Sequence, residues 1–292
     1  MKRFTANDEL VQGDRGDRFE QAIRTLLSKS DIKKNTISQL LSPENMECYN
    51  MAFTHVSFDP IDNYEYYELI GDSIVNNCIV LYLKNKFPIL TSPKYIRIIS
   101  RLKNLLQSKK TFSDIMKELD LWDFISASLT MKNTCKKRIS EDVFEAFFGL
   151  TFLLCEKHYN DSGTAFKICY KITKAIFDNI KISLKYEDIF DAKTRLKELF
   201  DTFKHLGKLE YVNRSELING STVHHVSILS NNNGTRLCIG KSSAPLLIDA
   251  QQTASRYALN HLKKKGVSRD VPQTFLDLYN DLEPAAALTV CS

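Results

Sequence analysis

The hydrophobic period changes once along these 292 residues, and that change confines the fold more tightly than any overall composition does. From about Arg18 to Lys181 the apolar residues recur at a spacing near 3.6. "RFEQAIRTLLS", "TISQLLS", "YIRIISRLKNLLQ", "TFSDIMKELDLWDFI" and "YKITKAIFDNI" therefore read as amphipathic helices, and this part of the chain is expected to be all-α. "FPILTSPK", with two prolines, and "LTMKNTCKKR" read as connections. After about Tyr186 a helix, "DAKTRLKELFDTFK", precedes alternating stretches around "KLEYVNRSEL", "TVHHVSILS" and "TRLCIG". "SNNNG" between the last two marks a hairpin, because Asn and Gly tolerate the positive φ of such a turn. "IDAQQTASRYALNHLKKKG" closes this part as a helix, so the order is α-β-β-β-α. Residues 269–292 give little structural signal and are expected to form a mobile tail.

Other properties narrow the class. No run of about 18 apolar residues exists, and "MKRFTANDELVQGDRGDRFEQ" lacks the apolar stretch of a secretory signal. An intracellular, cytoplasmic protein without a membrane partner is expected. Seven scattered cysteines with no C-x-x-C pair suggest neither a disulfide framework nor a zinc site, and they are expected to be reduced and mostly in the core. A net charge of +5 permits an acidic partner without demanding one.

"EYYELIGDSIVNNCIVLYLKNKFP" is a helix that is apolar almost all round, yet it holds Glu65, Glu68 and Asp72 in its first turns. At 100° per residue the three acids lie within about 60° of one another, on a stripe that continues through Val75, Ile79 and Leu83. Ile70, Ile74 and Leu81 occupy the opposite side, so no watery face is evident. A second helix, "RISEDVFEAFFGLTFLL", repeats the arrangement with Asp142 and Glu145 above Ala146, Gly149, Phe152 and Leu153. An isolated acid pair is ordinarily a solvated surface feature. Two such helices, each with a nearby glycine that permits close approach (Gly71 and Gly149), can instead converge four carboxylates on one point. Unpaired buried charge is very unfavourable, so the cluster calls for cations, and carboxylate-only ligation favours hard Mg²⁺ or Mn²⁺. A di-iron bundle would need Glu-x-x-His, which neither pair supplies.

These residues also carry a resemblance. "YEYYELIGDSIV" resembles the ribonuclease III signature N-E-R-L-E-F-L-G-D-S-V, with Glu65, Glu68, Gly71, Asp72 and Ser73 at matching positions. "AFTHVSF", with His55 and Ser57, resembles A-L-T-H-x-S-Y. "RLKNLLQSKKTFSDIMKELDL" resembles R-L-x-x-L-V-x-x-x-T-L-A-x-I-A-x-x-L-x-L, and "SEDVFEAFFGL" resembles L-A-D-x-F-E-A-L-I-G-A. The four blocks stand in order between about Ile37 and Leu154. The resemblance implies a metal-dependent endoribonuclease in which Glu68, Asp72, Asp142 and Glu145 bind the ions and carry the catalysis. There the ions activate a water and stabilise the leaving oxygen during hydrolysis of double-stranded RNA, which agrees with two-metal logic. Glu65 becomes the additional signature acid, on the dimer-interface side of the site. His55 and Ser57 are read as structural, and Trp122, Phe144, Phe147 and Phe148 as core. The stretch from Trp122 to Arg138 departs from the family in having no glycine.

Lys94, Arg97, Arg101, Lys103, Lys109 and Lys110 form a run without acids, and Lys132, Lys136, Lys137 and Arg138 lead into the second acid pair. Such runs are usually solvated faces. Beside a phosphodiester site they become candidate phosphate contacts. The α-β-β-β-α module resembles a double-stranded RNA-binding domain: "DAKTRLKELF" is similar to its opening D-P-K-T-x-L-Q-E and "ASRYAL" to its closing helix. "NGSTVHHV" would then be a loop whose His224 or His225 reaches the minor groove. Gly240, Lys241 and Ser242 match the start of the G-x-S-K-K run, but the lysine pair is missing, which implies weakened RNA affinity.

The expected fold is thus α+β in two domains: an all-α ribonuclease III-type nuclease domain with an N-terminal helical extension over 1–185, and a small α-β-β-β-α domain like a double-stranded RNA-binding domain over 186–268. The resemblance implies a paired nuclease domain, and each chain has one acid set whereas cutting both strands needs two, so a homodimer is expected. The rival reading is a catalytically silent scaffold of the same fold that binds RNA or a protein. Retention of all four acids opposes it.

Overall fold

The computed structural model describes residues 8–218 and 220–288, with side chains to residue 282. The chain forms two compact units that divide between Ile182 and Ser183, three residues before the boundary expected from the sequence.

In the first unit a short strand β1 (Leu10–Val11) leads to helices α1 (Asp17–Ser28), α2 (Lys34–Leu40), α3 (Pro43–Ala52) and α4 (Glu65–Lys86). Then follow α5 (Ile96–Leu106), α6 (Lys109–Glu118), strand β2 (Ala127–Ser128), α7 (Leu129–Thr134), α8 (Lys136–Tyr159) and α9 (Ser162–Phe177). The local rules are visible at the helix starts. Ser42 accepts the Asn45 amide ahead of α3, Ser108 the Thr111 amide ahead of α6, and Asp161 the Thr164 amide ahead of α9. The proline segment 87–94 makes short 3-10 turns, as a connection should. Helix α4 packs most extensively against α8, and α8 against α9. Buried Phe144, Phe147 and Phe148 of α8 fill the centre together with Tyr49 and Phe112. β1 pairs antiparallel with β2, Leu10 facing Ser128 and Val11 facing Ala127, so the N-terminal segment is strapped to the loop before α7.

Three expectations for this unit need correction. "LTMKNTCKKR" is helical, as α7 and the start of α8, because Ser128 caps it by accepting the Met131 amide. The helix expected to run from Thr111 to Ile125 stops at Glu118, where Asp120 takes a φ of 52°. Trp122 is only half-buried, with the Lys136 and Lys132 ammonium groups 4.6 and 5.7 Å from its ring centre.

The second unit holds α10 (Tyr186–Ile189), α11 (Ala192–Thr202), strands β3 (Lys208–Ile218), β4 (Ser221–Asn232) and β5 (Thr235–Ala244), and helices α12 (Leu247–Lys264) and α13 (Gln273–Leu288). The sheet order is β3-β4-β5, antiparallel throughout. Asn233 and Gly234, with φ of 50° and 87°, close the β4–β5 hairpin between the facing residues Asn232 and Thr235. One sheet face packs on α11 and α12 through Leu196, Leu199, Phe200, Val226, Ile228 and Ile239 and a row of alanines, Ala250, Ala254 and Ala258. A Cβ on Gly240 would lie 2.4 Å from the Ala254 carbonyl oxygen, so this glycine sets how closely α12 approaches β5.

The expected tail is different over its described part. Phe275 and Leu278 of α13 are buried, Phe275 meets the rings of Tyr186 and Phe190, and Tyr279 accepts the Tyr186 amide at 3.0 Å. A run with two apolar anchors becomes a helix once a partner surface exists, which local pattern alone does not reveal. Residues 289–292 lie outside the described residues. Of the six described cysteines, Cys78, Cys155 and Cys169 are buried, Cys48 and Cys135 are half-buried and Cys238 is exposed. Among the described residues no helix is long and apolar enough to cross a membrane.

Candidate active site

The site is built where α4 and α8 cross. A Cβ on Gly71 would lie 1.8 Å from the Glu145 carbonyl oxygen, and one on Gly149 would lie 2.0 Å from that of Tyr67. Backbone therefore meets backbone, and only glycine fits on either side. That close approach brings together the acids one turn N-terminal of each glycine, and Asp72 beside them.

Their environments differ. Asp142 is buried at 6% exposure, and the Tyr64 hydroxyl donates to its Oδ2 at 2.7 Å. Arg138 Nε lies 3.7 Å from the same oxygen, one helical turn earlier on α8. Glu68 and Glu145 are half-buried, while Glu65 and Asp72 are exposed. Asn76 donates to Asp72 Oδ1 at 2.7 Å and in turn accepts from the Gln107 amide. The side of α4 that should have had no solvent is therefore open: Tyr66, Leu69 and Val80 are exposed beside Glu65 and Asp72. Periodicity placed the acids on one stripe correctly, but the buried part of that stripe begins only at Val75.

The carboxylates feel one another. Burial, then repulsion from Asp142, raises Glu68 to about 7, with Arg138 opposing. Burial, then repulsion from Asp72, Glu141, Glu68 and Asp142, raises Glu145 to about 8. Asp142 is also raised by burial, against the hydrogen bond from Tyr64 and the Arg138 charge. All four sequence-identified acids thus interact at one place, and that place is short of positive charge. An all-oxygen, anionic donor set of this kind suits a hard divalent cation. Among the described residues, no group of three or more His, Cys, Asp or Glu side chains is set to hold a metal ion as it stands.

His55 has a structural place. Its Nδ1 accepts the Ser57 amide, its ring meets Tyr64 edge-on at 5.6 Å, and burial followed by the Arg138 charge lowers it to about 4. Ser57 Oγ accepts the Ser128 amide at 2.9 Å.

Of the candidate RNA contacts in this unit, Lys109 is paired with Glu141, next to Asp142, and Lys110 with Asp114 on its own helix. Arg97 and Arg101 also have partners, Lys103 is half-buried on α5, and Lys137 is exposed on the first turn of α8. The second unit corrects one placement. His224 and His225 lie within β4 rather than in a loop, with ring nitrogens 2.9 Å from Ser215 Oγ and 2.7 Å from Ser243 Oγ respectively. Lys241 lies on β5 opposite Ser227, and Leu246, Leu247 and Ile248 at the start of α12 are exposed. Residue 219, which belongs to the "NGSTVHHV" stretch, is outside the described residues.

Sequence reasoning missed Tyr64, Asn76 and Glu141. Asn76 stands four residues after Asp72, within reach of an i, i+4 search, whereas Tyr64 bonds Asp142 from 78 residues away and gives no such local signal. Glu141, adjacent to Asp142, had no such signal.

Comparison with known proteins shows what the chain is similar to. The ribonuclease III domain model matches residues 65–156, the segment that holds α4 through most of α8. A protein of Invertebrate iridescent virus 6, provisionally named ribonuclease 3, is 34% identical over 276 residues, covering 90% of this chain and 94% of the relative. One from Frog virus 3, named the same way, is 32% identical over 255 residues, covering 86% of this chain and 65% of the relative. The solved nuclease domain of ribonuclease III from Campylobacter jejuni is 24% identical with a TM-score of 0.41, over 55% of this chain and 97% of that one. With a relative at 34% identity along nearly its whole length, and the signature acids gathered at a helix crossing that only glycines allow, this chain belongs to the ribonuclease III family.

Proposed function

We propose that the chain is an endoribonuclease that hydrolyses phosphodiester bonds in double-stranded RNA with Mg²⁺ as its cofactor, Mn²⁺ being able to substitute, and that it acts as a homodimer. The observation that carries the reading is the gathering of Glu68, Asp72, Asp142 and Glu145 at the glycine crossing of α4 and α8, where burial and repulsion from neighbouring carboxylates raise Glu68 and Glu145. These four acids would hold two ions, which supply an activated water and neutralise charge on the phosphate. The protein's own part is positional. Tyr64 and Arg138 orient Asp142, and Asn76 orients Asp72. Lys109 and Lys137 flank the second acid helix, where a phosphate backbone would pass.

Duplex specificity is supported by the α-β-β-β-α order of the second unit, which matches that of a double-stranded RNA-binding domain. His224 and Lys241 remain candidate contacts there, both on the sheet. Dimerisation is supported by Ile61, Tyr66 and Leu69, which are 86%, 62% and 71% exposed beside Glu65.

The test is incubation with long duplex RNA and Mg²⁺, with EDTA and single-stranded RNA of the same sequence as controls. Metal-dependent shortening of the duplex alone is expected. Duplex binding without cleavage in either Mg²⁺ or Mn²⁺ would return the chain to the silent-scaffold reading.

A further inference from the structure

The N-terminal strap reaches the second acid pair through a continuous chain of bonded groups. Asp14 and Glu9 bond the backbone of Asp123 and Leu129 on either side of the β1–β2 pairing, and a Cβ on Gly13 would lie 2.2 Å from the Phe124 carbonyl oxygen. Arg15 is half-buried beneath this strap. Its guanidinium donates to the Phe124 carbonyl, to Ser126 Oγ at 2.9 Å, and to the Phe53 carbonyl and Thr54 Oγ1, each at 3.3 Å. Burial lowers it only to about 10, so it stays charged. Thr54 then accepts the Tyr64 amide at 3.0 Å, the His55 ring closes on Tyr64, and the Tyr64 hydroxyl reaches Asp142.

We propose that Arg15 and Tyr64 are coupled positioning residues that fix the Asp142 carboxylate, which makes the N-terminal strap a part of the active-site support. Neither touches the reacting phosphate. Arg15 holds the Phe53 carbonyl and the Thr54 hydroxyl, the Thr54 carbonyl holds the Tyr64 amide, and the Tyr64 hydroxyl holds Asp142. The planar fork matters here, because an ammonium cannot serve four acceptors spread over two loops at once. The inference rests on the functional reading above.

The test uses the full chain with Tyr64→Phe, Arg15→Lys and the double variant. Tyr64→Phe removes one buried hydrogen bond with little change in shape, and kcat on duplex RNA should fall about 10-fold with KM unchanged. In the metal-free protein Arg15→Lys should speed amide exchange at Tyr64, His55 and Ser126 by at least about 10-fold, while amides of α9 keep their protection. Because both changes act on Asp142 through one path, the double variant should lose no more kcat than the worse single variant. Losses that multiply in the double variant, or parental kcat in Tyr64→Phe, would overturn the proposal and leave Arg15 a fold-stabilising residue. A parent chain that does not cut RNA sinks the functional reading instead, and the exchange arm then decides alone: unchanged Tyr64 exchange in Arg15→Lys removes the coupling.

Discussion

Glu145 feels four other carboxylates from a half-buried position on α8, and that crowding separates its effect on stability from its effect on chemistry. Its folded value, about 8, is above the ordinary 4.5, so the group favours the folded state below pH 4.5 and that contribution is lost as pH rises through 8. Glu68, raised to about 7, acts in the same direction. In EDTA the parental protein should therefore melt lower at pH 8.5 than at pH 5.5, and Glu145→Gln should narrow that difference, its own Tm matching or exceeding the parent's at pH 8.5. Thermal melts at the two pH values check this, and a variant that destabilises at pH 8.5 would contradict it. The same substitution removes a ligand charge from the proposed ion site. Several kcal/mol of transition-state stabilisation should go, a rate loss of roughly 10² to 10⁴, with duplex binding kept. Single-turnover cleavage across a Mg²⁺ titration measures it. The four proposed acids could be singled out in the sequence because each lies in a block that resembles the ribonuclease III signature on an otherwise apolar helix. Tyr64 could not, since a tyrosine at the edge of an apolar stripe reads as core until its hydroxyl is seen to reach Asp142 across 78 residues.

The α4–α8 crossing is the element on which the site depends. Gly149→Ala would place a Cβ 2.0 Å from the Tyr67 carbonyl oxygen, and backbone cannot move aside as a flexible side chain can. The helices must separate, so a loss of about 3 kcal/mol or more is expected, together with reduced cleavage even where the protein still folds. Denaturant titration and activity on the same sample test this, and parental stability in the variant would mean the crossing is looser than described. Both glycines were legible as close-approach positions because each sits on an acid-bearing, otherwise apolar helix. Solvent exposure was not legible. A 3.6 period fixes angles around a helix but not which neighbour covers which angle, so Glu65 and Asp72 were expected inside and lie outside. For the same reason α7 and α13 were missed: short or weakly patterned helices owe their existence to a cap such as Ser128, or to a partner surface such as Tyr186 and Phe190.

At the scale of the whole molecule, one acid set per chain and the exposed Ile61, Tyr66 and Leu69 beside it point to two chains acting on one duplex. Light scattering at micromolar concentration should give a dimer, and Leu69→Asp should shift it toward monomer; a parental monomer with and without RNA would refute the assembly. The division of labour between the two units is open to a sharper experiment. Every proposed ion ligand lies before Ile182, together with Arg97, Arg101, Lys103, Lys109, Lys110 and Lys137, whereas duplex recognition is proposed for the second unit, with His224 and Lys241 as its candidate RNA-binding residues. That unit lacks lysines at the start of α12, so its share of the affinity should come from neutralising few phosphates. Each phosphate that is no longer neutralised lowers the slope of log K against log salt by about 0.9, and two or three of them weaken binding roughly 10- to 100-fold at moderate salt. A chain ending at Ile182 is thus expected to bind duplex RNA more weakly at about 150 mM salt and to keep Mg²⁺-dependent cutting at about 50 mM, where the remaining lysines and arginines hold the duplex longer. Circular dichroism must first show that the shortened chain is helical. If it is folded, binds at low salt and is inert there, the second unit supplies more than affinity, and the assignment of all the chemistry to the α4–α8 crossing fails.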